Sequence, residues 1–256
     1  MEKFISSRDN KIIKLLNSLQ KKSGRVKHSL YIAEGKRLCN EAFVWAKDKI
    51  EFTVVSDTFY KDNNADLTGT DIYILPDDLF SKISDTETPQ GILCVLKYDL
   101  TTSAYSVSDN ILILDGVSEP GNMGTILRTA EAMGFTDIYI AKGSADIYCP
   151  KVIRSTMGAI FRLNFHFVDN YDFIDNLKND GYKIITTALH NSIDLEKTTV
   201  YSKNAIVIGN EANGVSAEIM DKSDVITRIE MAGNAESLNA AVAAGIVMYK
   251  FSKRSE

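Results

Sequence analysis

At 256 residues, 45% hydrophobic and 25% charged, the chain has the make-up of an ordinary globular protein of one large domain or two smaller ones. Its three cysteines, Cys39, Cys94 and Cys149, form no CxxC pair and no Cys/His cluster, so no metal site and no disulfide framework is expected. The start lacks an apolar signal core and no run approaches the ~20 apolar residues of a membrane span, so no membrane association is expected and the cytoplasm is the expected compartment.

The net charge of −5 is unevenly spread. Residues 1–37 hold ten Lys/Arg against Glu2, Asp9 and Glu34, a net of +7, which leaves −12 for the remainder. A basic end on an acidic body is the asymmetry of a polyanion-binding module. A solvated helix face gives the same count, and the charges alone leave both readings open.

In chain order, residues 8–22 place Ile12, Ile13, Leu15, Leu16 and Leu19 at helical spacing. A strand over 30–35 leads into a helix from Lys36. Strands follow over 51–56, 71–75 and 91–96, rich in β-branched and aromatic residues. The polar, Ser/Thr-rich stretch 99–109 reads as a linker between a first domain, 1–98, and a second, 110–256. The second domain begins with a buried strand over 111–116 and a helix over 122–134, for which Asn122 is the expected N-cap. Then come a strand over 137–141, a short helix near 152–157, a strand over 162–168, a helix over 171–179 and strands over 182–189, 204–211 and 224–231. A long helix over 236–254 closes the chain, with Ser237 at its start. Alternating strands and helices give an α/β fold with a mostly parallel sheet.

Three segments carry chemistry, each after a predicted strand, where open parallel sheets bind ligands. "DGVSEPGNMGTILRTAEAMG" (115–134) sets Asn122 after a glycine-rich turn and Arg128 in the following helix. A guanidinium there is either a surface arginine with a packed stem or a fork for a phosphate. "IVIGNEANGVS" (206–216) brackets Glu211 between Gly209 and Gly214, and is neither a dinucleotide fingerprint nor a P-loop. "TRIEMAGNAESLNAAVAAG" (227–245) brings Ser237 and Asn239 to a helix start. His28, His166 and His190 lie in unrelated contexts. The candidate active groups are therefore Asn, Arg, Glu and Ser around glycine loops, a set that positions substrates and stabilises charge.

These segments, in this order, resemble the SpoU (TrmH-like) branch of the SPOUT RNA methyltransferases. The likeness also takes in "CPKVIRSTMGAIFRL" (149–163), and "YIAEGKRLCNEA" (31–42) and "TPQGILCV" (88–95) of a small front RNA-binding domain. It implies methyl transfer from S-adenosylmethionine to a ribose 2′-hydroxyl, with ribosomal RNA the favoured substrate. Transfer RNA as substrate, or a non-catalytic RNA-binding protein of the same fold, are the alternatives. It further implies a trefoil knot near the C-terminus and a homodimer with its site near the subunit interface. By the same likeness Asn122 and Arg128 serve the ribose and its phosphate, and Glu211, Ser237 and Asn239 complete the catalytic set. Gly209, Ile229, Met231 and Leu238 hold the cofactor. There are two departures from the family pattern: Glu230 stands where many members have proline, and Ala240–Ala241 where many have Val-Ser.

Overall fold

The computed structural model describes residues 1–63, 69–98 and 108–252. The chain divides into two compact units, Met1–Asp99 with Asp146–Phe161, and Leu100–Ala145 with Arg162–Glu256. Of the linker expected over 99–109, residues 99–107 lie outside the described residues.

The first unit contains β1 (Glu2–Phe4), α1 (Lys11–Leu19), α2 (Lys22–His28), β2 (Leu30–Glu34), α3 (Lys36–Trp45), β3 (Ile50–Ser56), α4 (Asp57–Asn63), β4 (Ile72–Leu75), α5 (Asp77–Ile83) and β5 (Ile92–Lys97). Its mixed sheet has the order β1-β4-β3-β5-β2. The helix expected over 8–22 is α1, shorter than expected, and a second helix that the sequence reading did not anticipate, α2, follows it. Asn10 caps α1, accepting the Ile12 N–H at 2.9 Å, and the chain doubles back after Leu19. Gly24 permits the turn, because a Cβ there would fall 2.0 Å from the Ser18 carbonyl oxygen. Ile13, Leu16 and Leu19 enter a core with Phe52, Val54, Leu79 and Phe80.

One of the ten cations counted in the basic segment is not at the surface. Arg25 is 4% exposed; its guanidinium donates to the Leu19 and Gln20 carbonyls at 2.8 and 3.0 Å and pairs with Asp146 at 2.7 Å. Tyr148 stacks on Tyr98 and meets Tyr31 at a tilt, with ring centres 4.4 and 4.8 Å apart. The helix Pro150–Thr156 buries Val152 and Ile153. These contacts group Asp146–Phe161 with the first unit, although the sequence reading runs 110–256 as one domain.

The second unit contains β6 (Asn110–Asp115), α6 (Pro120–Ala132) and β7 (Asp137–Ala141); α7 is the Pro150–Thr156 helix above. Then follow β8 (Asn164–Val168), α8 (Phe173–Asn179), β9 (Lys183–Thr187), β10 (Ile193–Asp194), β11 (Asn204–Gly209), α9 (Ala217–Lys222), β12 (Val225–Arg228) and α10 (Ala240–Phe251). The sheet is parallel throughout, ordered β10-β12-β9-β11-β6-β7-β8. Its inner strand β6, next to the central strand β11, is buried at all six positions, the pattern of a strand covered on both faces.

Two helix starts differ from expectation. Glu119, not Asn122, caps α6: its side chain accepts the Gly121 N–H, and Pro120 takes the first helical position, where no N–H is needed. Asn239 caps α10, whose first residue is Ala240, so Ser237 lies outside the helix. The strands expected over 204–211 and 224–231 end at Gly209 and Arg228, where the polar loops leave the sheet. The elements β1, α2, α4, α5, β10 and α9 are short and lack strong periodicity, and the sequence pattern does not announce them.

His166 is a core histidine. It lies 2.9 Å from the Asp137 carboxylate, both side chains essentially buried, and its ring stacks on Tyr139, whose other neighbour is Phe173. Burial opposes the charged form of Asp137, but hydrogen bonds from His166 and Ser108 outweigh it and hold the carboxyl below its usual range. A carboxyl lowered in the fold adds stability above its unfolded pKa of about 3.9 and loses it as pH falls through the lower folded value. His166→Leu leaves the buried carboxylate with only the weaker support of Ser108 and is expected to cost about 3 kcal/mol in urea denaturation at pH 7. The deficit shrinks toward pH 3, where the unfolded carboxyl also takes up its proton.

Candidate active site

The site is assembled where β6 and β11 end side by side. Their parallel register runs from Asn204↔Asn110 to Gly209↔Asp115. The loops beyond them carry the first two chemistry-bearing segments, which are therefore neighbours.

The loop after β11 is a closed turn. Asn210 and Gly214 exchange backbone hydrogen bonds at 2.9 Å each way. The Asn210 side-chain oxygen accepts the Ala212 and Asn213 N–H groups, and its Nδ2 donates to the Gly116 carbonyl at 2.8 Å. Gly209 is required by close approach: a Cβ there would lie 2.3 Å from the Gly214 carbonyl carbon and 2.4 Å from the Val215 nitrogen. Asp115, 5% exposed, ties the loop's far end, accepting the Ser216 N–H at 2.7 Å and the Tyr171 hydroxyl at 2.5 Å. Burial is the main cause that raises the Tyr171 pKa, and the bond to Asp115 adds to it.

That turn presents Glu211 to the start of α6. Its carboxylate accepts four hydrogen bonds: the Ser118 N–H and hydroxyl at 3.1 Å, the Glu119 N–H at 3.1 Å and the Asn122 amide at 3.0 Å. Partial burial works against ionisation, but the bonds from Asn122 and the backbone N–H groups draw the pKa down to about 2. Asn122 in turn accepts the Asn239 amide at 2.9 Å, and the Asn239 oxygen accepts the Ala241 and Val242 N–H groups at the start of α10. Glu211, Asn122 and Asn239, from three separate segments, thus form one connected chain.

The remaining expected residues stand differently. Arg128 is exposed on α6, with no hydrogen bond or ion pair among the described residues. Ser237 is exposed two residues before the Asn239 cap. Ile229 and Met231 are half-buried and Leu238 is 37% exposed, on the loop between β12 and α10. Among the described residues that loop's backbone, 229–238, has no hydrogen-bond partner, so it offers N–H and C=O groups to a ligand. Such a strip suits the edge of a nucleoside and the polar end of an amino acid, the two parts of S-adenosylmethionine. Sequence reasoning missed Asp115, Asn210, Ser118 and Tyr171. Asp115 and Asn210 carried a signal, as polar residues at strand ends; Tyr171 carried none. Among the described residues there is no group of His, Cys, Asp and Glu that could hold a metal.

Comparison with known proteins agrees with this geometry. The sequence model of the SpoU rRNA Methylase family matches residues 109–249, and that of the MRM3-like substrate binding domain matches residues 10–94. The 23S rRNA (guanosine(2553)-2'-O)-methyltransferase RlmP of Bacillus subtilis is 34% identical over 96% of this chain and 98% of its own. The crystal structure of an rRNA methyltransferase from Sinorhizobium meliloti superposes with a TM-score of 0.86 at 26% identity, covering 97% of this chain and 96% of that one. Its AdoMet-bound form gives the same TM-score and identity, over 97% of each chain. Fold and site together define an RNA methyltransferase, with a small α/β domain ahead of its parallel-sheet domain. The chain belongs to the SpoU rRNA methylase family.

The loop's tightness makes Gly209 a direct test of this site. Gly209→Ala is expected to lose about 1–3 kcal/mol in urea denaturation, the usual cost of overpacking. It is also expected to weaken S-adenosylmethionine binding in calorimetry by at least about tenfold, equivalent to ~1.4 kcal/mol.

Proposed function

We propose that this protein methylates a ribose 2′-hydroxyl of ribosomal RNA, with S-adenosylmethionine as methyl donor. The observation that carries the reading is the convergence of Asn122, Glu211 and Asn239 on the edge of the sheet where β6 and β11 end. The name of the B. subtilis relative, matched along nearly its whole length, supports the ribose position and the ribosomal substrate.

When bound, S-adenosylmethionine supplies an electrophilic sulfonium methyl group. The chain's own task is to bind, orient and stabilise. The backbone of 229–238, unpaired among the described residues, holds the cofactor with the side chains of Ile229, Met231 and Leu238, and Gly209 lets the facing turn close. Asn122 orients the ribose. Arg128 offers N–H donors and no acceptor, so it grips a phosphate or a developing negative charge and takes no proton. Its exposure, with no partner among the described residues, suits a group that meets its anion only in the complex. Ser237, beside the Asn239 cap, completes the rim. Glu211, with a pKa of about 2, is a weak base, and its bonds are committed to Ser118, Glu119 and Asn122.

The first unit binds the RNA. The exposed cations of 1–37 support this, as does the match to a substrate-binding domain. A trefoil knot at the C-terminus belongs to the same reading. The place of β12 between β9 and β10 supports it, because the chain's last strand is inserted among earlier ones. Action in the cytoplasm belongs to the same reading, and no helix among the described residues is long and apolar enough to cross a membrane.

The protein works as a homodimer joined through α6 and α10. An apolar groove there is lined by Thr125, Thr129 and Met133 on one helix and Val242, Ile246 and Tyr249 on the other. The last three are 40–53% exposed, an unusual load for a solvated face. Light scattering at micromolar concentration is expected to give twice the chain mass, and Ile246→Glu to give the monomer.

Transfer of labelled methyl groups from S-adenosylmethionine to ribosomal RNA, with mapping of the modified ribose, tests the activity. Arg128→Ala is expected to keep fold and cofactor binding while lowering transfer by roughly 10²-fold, the scale for one charge-stabilising donor. Near wild-type transfer by this variant removes Arg128 from the site.

A further inference from the structure

The Asn122–Asn239 pair is held between two groups of opposite and fixed hydrogen-bonding character. At one end stands Glu211, which when ionised can only accept. At the other stand the Ala241 and Val242 N–H groups, which can only donate. The Asn122 NH₂ must therefore face Glu211, and the Asn239 oxygen must face α10. The middle contact then has one allowed direction, from the Asn239 NH₂ to the Asn122 oxygen, and that is the contact found at 2.9 Å. Turning either amide over sets acceptor against acceptor at one contact and donor against donor at the other.

What remains unused defines what the site offers. Both oxygen lone pairs of Asn239 face the helix, while one N–H of each amide and one lone pair of Asn122 have no partner among the described residues. The unused groups are thus mainly donors. We propose that Glu211 and the first turn of α10 act as positioning elements that lock the polarity of this amide pair. The pair then presents N–H donors to an oxygen of the RNA, and the proton of the reacting hydroxyl passes to an RNA phosphate oxygen or to water, outside the pair. This rests on the methyltransferase reading above. It assigns Glu211 a role through Asn122, and gives Asn239 a second role beyond capping.

Asn239→Asp separates the two roles. Aspartate caps a helix as well as asparagine does and its charge suits the helix start, so the fold and the melting temperature are expected to hold. It has no N–H for Asn122. Turnover is expected to fall by at least about tenfold at unchanged S-adenosylmethionine affinity, a transition-state loss of ~1.4 kcal/mol.

Asn122→Asp tests the other end. The new carboxylate faces Glu211 from the loop after β11 and shares its helix start with Glu119, while the first turn of α10 carries no titratable side chain. Two carboxylates in contact share one proton, and the introduced carboxyl, once protonated, donates to Glu211 as the amide did. The turnover of this variant is expected to rise as pH falls from 8 to 6, relative to Asn122→Ala. An Asn239→Asp rate within twofold of wild type overturns the proposal, as does an Asn122→Asp profile parallel to that of Asn122→Ala. A wild type that transfers no methyl group to RNA defeats the functional reading instead. The relay is then judged by NMR of the Asn239 side-chain amide. Its resonances are expected to lose their hydrogen-bond shift in Asn122→Ala, and no change there overturns the relay whatever the activity.

Discussion

The parallel pairing of β6 with β11 holds the rest of the second unit in place. Six residues of each strand lie in register, and both ends of the pair are laced by side chains. At the start, the Asn204 amide donates to Asn110, whose own amide donates to the Phe251 carbonyl at the end of α10. At the finish, Asn210 reaches the Gly116 carbonyl and Glu211 reaches Ser118 and Glu119. The start of α10 is tied to the same finish through Asn239 and Asn122. A helix of this length spans about 18 Å and a six-residue strand about 20 Å, so one helix can be fastened at both ends of one strand pair.

This lacing explains how a site made of flexible amides keeps one geometry. None of its members is deeply buried, and exposed hydrogen bonds between mobile side chains contribute little by themselves. Here Glu211, Asn239 and Asn210 are each fixed by bonds to backbone, and Asn122 is held between Glu211 and Asn239. Glu211 accepts from Ser118 and Glu119, Asn239 accepts from α10, and Asn210 closes its own turn. Asp115 anchors the loop from the buried side, through Ser216 and Tyr171. The polar network works as a positioning device because each acceptor meets a donor whose place the backbone determines.

The first unit shows the opposite use of polarity. Arg25 sits in a run of cations that reads as an RNA-facing surface, yet it is buried and joins Leu19, Gln20 and Asp146. A guanidinium has five donors, enough to satisfy two carbonyls and a carboxylate at once, which makes it a better internal brace than a lysine. The neighbouring Lys22 and Lys27 stay at the surface. The same stretch therefore supplies both a structural brace and the exposed charge for a polyanion.

The long elements and the chemistry were legible in the residues alone. Strong periodicity marked α1, α6 and α10, continuous apolar runs marked β6 and β11, and the order of three polar loops carried the family likeness. Glu211, Asn122 and Asn239 stood out because polar residues beside glycine at strand ends have few structural reasons to be there. Which of them meet was settled by the fold. Residues 122, 211 and 239 are remote in sequence, and no local pattern encodes the pairing of β6 with β11 that brings their loops together. The helix caps were settled there too: Glu119 and Asn239 are chosen by where the chain enters the helix, a matter of backbone direction that composition does not record. Tyr171 and the buried place of Arg25 stayed hidden for the same reason. A side chain's partner is set by the fold, while the sequence states only what that side chain is able to do.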